Sequence, residues 1–162
     1  ENERVEIRWV KHNNLHLTVQ FLGSASDEKV TKIRKEVKNI VSSIDPFVLT
    51  VSETGCFPNT SKPSVLYLGV GGNIEALKDL VVKINDKMSQ IGFKKDLESF
   101  IPHITVAKIN YPQKFNPDLS LFLNSTYDKV EFSVDGIQLL ESKTLAEGAV
   151  YRTLNTFSFL EI

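Results

Sequence analysis

The 162-residue chain is 41% hydrophobic and 24% charged, an ordinary globular composition, large enough for one good core or two small lobes sharing one. Its formal net charge of -1 excludes a general electrostatic pull toward nucleic acid, so any RNA must be gripped by a local patch, at an end rather than along a duplex. The single cysteine, Cys56, excludes an internal disulfide framework, and no apolar run reaches transmembrane length or resembles a signal peptide.

Near the start of the chain, Val5-Glu6-Ile7-Arg8-Trp9-Val10 alternates well enough for a short strand. Lys11-His12-Asn13-Asn14 turns into an apolar run over 15–22 that reads as a second strand. Ser26 then caps a helix over about 27–43, with Val30, Ile33, Val37, Ile40 and Val41 at helical spacing and acids in its first turn. A strand over 47–51 follows, then Gly55-Cys56-Phe57-Pro58-Asn59 as a turn-rich loop and a strand over 64–70. Asn73 caps a second helix over about 74–91, with Leu77, Leu80, Val81, Ile84 and Met88 as its buried stripe and Gly92 closing it. A linker over 93–100 leads into another strand, a short helix near 117–124, a strand over 129–140, a loop over 141–149 and a last strand over 150–160. Strand, helix, strand, strand thus occurs twice, which favours an α+β fold with antiparallel pairing and two related lobes.

Two copies of one pattern stand out. His16-Leu17-Thr18 lies in the run from Leu15 to Gly23, and His103-Ile104-Thr105 in the run from Phe100 to Ala107. In a strand, residues i and i+2 share a face, so each copy sets an imidazole beside a hydroxyl. Imidazole titrates near neutrality and suits proton transfer in both directions, while hydroxyls can hold phosphate oxygens. Two such strands would surround a phosphate with two proton-transfer groups and two donors. With three histidines and one cysteine, a structural zinc site is a poor fit, and no metal or cofactor is expected.

These residues resemble the two-histidine (2H) phosphoesterase superfamily, and most closely its RNA 2′,3′-cyclic phosphodiesterase branch, also called 2′-5′ RNA ligase. The run from Asn14 to Gly23 after Trp9-Val10 resembles the first signature, and Phe100 to Ala107 the second. Gly55-Cys56-Phe57-Pro58, Ser142 to Leu145, Gly148, Tyr151 and Leu154 match further landmarks. The resemblance implies one bilobal domain over 1–162, with pseudo-symmetric lobes of antiparallel strands, helices on the outer faces and the active-site groove between. The family normally opens with a strand and helix before Trp9 that this sequence lacks, and has Arg where this chain has Lys108. Strict alternation would turn Lys108 away from His103, so a phosphate role for it requires a bulge or a reach around the strand end.

The resemblance implies hydrolysis of an RNA 2′,3′-cyclic phosphate to a 2′-phosphate, together with reversible 2′-5′ ligation. His16 would be the acid to the leaving oxygen and His103 the base to water, with Thr18, Thr105, Lys108, Tyr151 and Phe57 binding substrate. Each has a plainer reading: Phe57 as loop packing rather than a stacking platform, Tyr151 as core, the threonines as ordinary strand residues. Trp9 reads as a packing residue, His12 as a surface loop residue, Cys56 as a buried small residue, Arg152 as a phosphate candidate and Lys94-Lys95 as a solvated face. The expected protein is a cytoplasmic monomer, away from membranes, acting on RNA ends or nucleotides that carry the cyclic phosphate. Two rivals stay open: a non-catalytic nucleotide- or RNA-binding module of the same family, and a phosphodiesterase acting on 2′-5′ oligoadenylates.

Overall fold

A computed structural model of the chain describes residues 6–95, 100–112, 114–145 and 148–160. Its strands are β1 (Ile7–Trp9), β2 (Phe47–Phe57), β3 (Val65–Gly72), β4 (His103–Ile109), β5 (Val130–Val134), β6 (Gly136–Leu145) and β7 (Gly148–Ser158). The helices are α1 (Asp27–Val41), α2 (Ile74–Gln90) and the short α3 (Ser120–Leu123). Among the described residues the strands form a five-stranded sheet ordered β1-β4-β3-β2-β5 and a two-stranded sheet β6-β7. The pairings of β4 with β1 and β3, and of β6 with β7, are antiparallel, in keeping with the α+β class. The residues fall into two compact units that do not follow the two halves of the chain.

The first unit takes Glu1–Thr18, Thr50–Gly71 and Pro102–Glu131, and so contains both His-x-Thr copies. β4 is its axis, with β1 and β3 as its neighbours. Leu66, Ala107, Ile109 and Leu119 are buried together, and Ile7, Cys56, Val106, Tyr111, Phe122 and Leu123 pack on them. Each large apolar side chain taken out of water in this way contributes about 1.5–3 kcal/mol. β2 runs through Gly55-Cys56-Phe57, where the sequence predicts a loop. The reason is the Phe57 carbonyl, which accepts from the Ser64 amide (2.7 Å) and the Ser64 hydroxyl (3.2 Å), keeping the hairpin paired until Pro58.

The first motif departs from expectation. Instead of a strand over 15–22, a single bridge joins Leu17 to Ile104. A 3-10 turn over His12–Asn14 precedes it, closed by the Leu15 amide on the His12 carbonyl. β1 already pairs with β4 over Ala107 to Ile109, so this segment meets β4 nearer its start. His12 is exposed in that turn, as expected. Trp9 is not the packing residue predicted: it is 63% exposed.

The second unit takes Val19–Leu49, Gly72–Ile101 and Phe132–Ile162. α1 begins where Ser26 Oγ accepts the Lys29 amide (3.4 Å), and buries Ile33, Val37 and Val41 at helical spacing. α2 begins where Asn73 Oδ1 accepts the Ala76 amide (3.2 Å), and buries Leu77, Leu80, Val81, Ile84 and Met88. Gly92, at φ +89°, ends it in the left-handed conformation that favours glycine. α1 packs against α2 and β7, and Phe47 stacks on Phe159 with ring centroids 6.0 Å apart. The single strand predicted over 129–140 is two strands, separated at Asp135. The loop predicted over 141–149 is mostly hairpin, since β6 pairs with β7 from Gly136–Ser158 out to Leu145–Gly148. Residues 146–147 of that prediction, and 96–99 of the linker, lie outside the described residues.

Candidate active site

The geometry of the site follows from one bridge and one irregularity on β4. Leu17 stands opposite Ile104 in antiparallel sense. Continued by one residue each way, that pairing sets His16 level with Thr105 and Thr18 level with His103. Side chains directly opposite share a face, so all four groups lie on one side of the sheet and Leu17 and Ile104 on the other. The two imidazoles occupy one diagonal of this square and the two hydroxyls the other. Diagonal neighbours in such a pair stand about 7–8 Å apart at the backbone, room for a phosphate between the rings.

His16 is held by its own chain. Its Nδ1 lies 2.7 Å from the Asn14 carbonyl, which can only accept, so Nδ1 donates to it. The turn over His12–Asn14 aims that carbonyl. His103 packs against two rings. The edges of Phe57 and Tyr67 meet it with centroids 5.1 Å and 5.4 Å away, and those two rings stack on each other at 4.4 Å. Gly55 makes this packing fit, because a Cβ there would overlap the Tyr67 ring. All four motif side chains are half-buried, screened from bulk water yet accessible to a ligand.

The irregularity decides the place of Lys108. β3 pairs Leu66 with Ala107 but Tyr67 with Thr105, leaving Val106 as an extra residue in β4. A bulge of this kind turns two successive side chains to one face. Val106 and Ala107 both join the buried cluster of Leu66 and Ile109. Alternation restarts beyond it, and Lys108, opposite Val65, returns to the face of His103, Thr105 and Tyr67. The bulge that strict alternation demanded is present.

Among the substrate-binding candidates, Thr18, Thr105, Lys108 and Phe57 therefore gather with the histidines in the first unit. Tyr151 belongs to the second unit, on β7 opposite Ser142. Arg152, also on β7, is engaged by Glu141 at 3.0 Å, and Lys95 pairs with Asp86. Cys56 packs on the first unit's core, and burial raises its thiol pKa, the opposite of what a nucleophile needs. Among the described residues, no three His, Cys, Asp or Glu side chains converge as metal ligands do. Tyr67 and Gly55 were missed as site residues by sequence reasoning. The signal available was the strand period, which puts Tyr67 on the face opposite buried Leu66 once β3 is paired with β4.

Residues 4–145 match the family described as the 2′-5′ RNA ligase superfamily. The chain is 30% identical over 152 residues to the RNA 2′,3′-cyclic phosphodiesterase of Thermotoga maritima, covering 93% of this chain and 79% of that one. It is likewise 30% identical over 151 residues to the protein of that name from Methanocaldococcus jannaschii, covering 91% and 82%. Among solved structures, TT0787 of Thermus thermophilus aligns with a TM-score of 0.77 at 24% identity, over 94% of this chain and 82% of that one. E. coli LigT complexed with 3′-AMP aligns with a TM-score of 0.75 at 22% identity, over 95% and 82%. These two likenesses establish a shared fold.

Proposed function

The chain belongs to the 2′-5′ RNA ligase superfamily, and from that premise we propose that it opens RNA 2′,3′-cyclic phosphates by two-histidine acid–base catalysis. The observation that supports this reading is the Leu17–Ile104 bridge, which favours a square with His16 and His103 on one diagonal and Thr18 and Thr105 on the other. His103 takes a proton from water as the water oxygen attacks phosphorus. The bond from phosphorus to the 3′ oxygen breaks, His16 gives that oxygen its proton, and a 2′-phosphate and a 3′-hydroxyl result. Charge accumulates on the non-bridging oxygens as phosphorus becomes five-coordinate, and the threonine hydroxyls donate to them there. When a 5′-hydroxyl end of RNA takes the place of water, the same displacement, with His103 taking the hydroxyl proton and His16 protonating the 3′ oxygen, forms a 2′-5′ phosphodiester. The imidazoles exchange roles only when that linkage is opened again by the 3′-hydroxyl.

One imidazole must be neutral and the other protonated, so the rate follows a bell-shaped pH curve whose limbs belong to the pair. The remainder of the reading is a cytoplasmic monomer in which 1–162 acts as a single domain. The deciding assay uses a short RNA with a 2′,3′-cyclic phosphate end, in excess chelator, with wild type, His16→Ala and His103→Ala. Turnover to a 2′-phosphate by wild type alone is expected. Undiminished turnover in either variant removes that histidine from the mechanism, loss of activity with chelator removes the metal-free reaction, and binding without turnover favours a non-catalytic module.

A further inference from the structure

The face that carries the histidines continues past the bulge, and what stands there is not used by the reaction at the cyclic phosphate. β1 places Arg8 directly opposite Lys108. Lys108 lies on the histidine face, so Arg8 lies on it too, and both side chains are exposed. Like charges facing each other across a strand pair are destabilising, and an anion seated between them reverses the sign. One carboxylate is already close: Glu6, two residues before Arg8 on the same face, accepts from Arg8 Nε at 2.9 Å. The carboxylate shows that the guanidinium is presented to an oxyanion. The pair is solvent-exposed, with Arg8 at 47% and Glu6 at 63%, so exchanging the carboxylate for another oxyanion costs little.

Distance decides which phosphate belongs there. Because of the bulge, Thr105 and Lys108 stand opposite Tyr67 and Val65, only two residues apart on β3, about 7 Å along the sheet. The Arg8–Lys108 row is therefore set back from the diagonal of imidazoles by about that distance. It is placed for a neighbouring phosphate of the same chain, and guanidinium is suited to it, since its planar fork donates two parallel hydrogen bonds to a phosphodiester.

We propose that Arg8, across from Lys108, forms a second phosphate subsite that binds the phosphodiester next to the cyclic end, so that the enzyme prefers an oligoribonucleotide over a mononucleoside 2′,3′-cyclic phosphate. Glu6 occupies the subsite in the free protein and is displaced by substrate. The inference rests on the function proposed above and adds to it a preference for chain length.

The test compares kcat/KM on two substrates, a nucleoside 2′,3′-cyclic phosphate and a dinucleotide with the same end. Wild type is expected to favour the dinucleotide. In Arg8→Gln the dinucleotide-to-mononucleoside ratio falls about tenfold, mainly through KM, as loss of one partly screened ionic contact implies. Arg8→Lys restores part of it, and Glu6→Gln raises it above wild type. Added salt lowers the ratio in wild type more steeply than in Arg8→Gln. An unchanged ratio in Arg8→Gln, including the case where both substrates slow together through altered folding, overturns the subsite and leaves the two-histidine reaction standing. Wild type inactive on both substrates overturns the function itself.

Discussion

The two His-x-Thr copies are alike in sequence and unlike in support. The second lies on β4, paired with β3 from His103 to Lys108 and with β1 beyond the motif, with its imidazole packed against two stacked rings. The first lies on irregular chain that touches β4 through one bridge, with its imidazole tied to a carbonyl two residues back. Ring packing from distant strands contributes to the orientation of one, and a neighbouring backbone carbonyl to that of the other. The lesson is that two like sequence motifs can be brought to one face without sharing a secondary structure. A single bridge is enough to fix register, because a one-residue slip would carry His16 and Thr18 to the opposite side.

The strongest way to break the comparison is to remove each imidazole. His16→Ala and His103→Ala should each lower kcat on a cyclic-phosphate RNA by about 10²–10⁴-fold, and the double variant should be little worse than either, since the pair acts as a unit. The residual rate sharpens the assignment of roles. With the acid gone, the His16→Ala profile loses its alkaline fall, and with the base gone, the His103→Ala profile loses its acidic fall; the opposite pattern exchanges the roles. Thr18→Val and Thr105→Val keep shape and remove a donor, and each should cost about 10²-fold in kcat with KM nearly constant.

Gly55→Ala separates the two supports. The new methyl displaces the Tyr67 ring, and with it the packing on His103, while the carbonyl that holds His16 is untouched. The expected outcome is a loss of stability of about 1 kcal/mol in thermal melting and a kcat about tenfold lower, recovered in part by Tyr67→Phe only if the hydroxyl rather than ring bulk is at fault. The smallest effect concerns Cys56. Its thiol pKa is raised by burial in the folded chain, so alkylation near pH 8 should be slower than for an unfolded control. By linkage, its contribution to stability is complete below the unfolded thiol pKa and is lost as pH rises through that value toward the raised folded one. Faster alkylation in the folded state would contradict this placement.

Much of the molecule was legible from residue order because the signals are local. The stripe Leu77, Leu80, Val81, Ile84, Met88 repeats at the helical period and is buried in α2, and Ser26 and Asn73 both cap as their side chains dictate. His-x-Thr was legible because a two-residue spacing has a fixed meaning in extended chain. The failures share a cause. The run from Leu15 to Leu22 has strand composition but, among the described residues, pairs only through Leu17, and strand propensity without pairing does not make a strand. Gly55-Cys56-Phe57 has turn composition but a partner in Ser64, and pairing prevails.

The sequence by itself determined which groups could do the chemistry: two imidazoles and two hydroxyls, each pair set side by side by the geometry of extended backbone. It also determined the helices and their buried faces, since period and caps are written in neighbouring residues. Only the tertiary structure decided that Val106 is extra in β4, that Lys108 consequently rejoins the histidine face, and that Arg8 stands opposite it. A bulge arises from the register of two strands distant in sequence, where Val106 and Ala107 both find room in one buried cluster. That choice is made by packing across the sheet, and no window of neighbouring residues contains it.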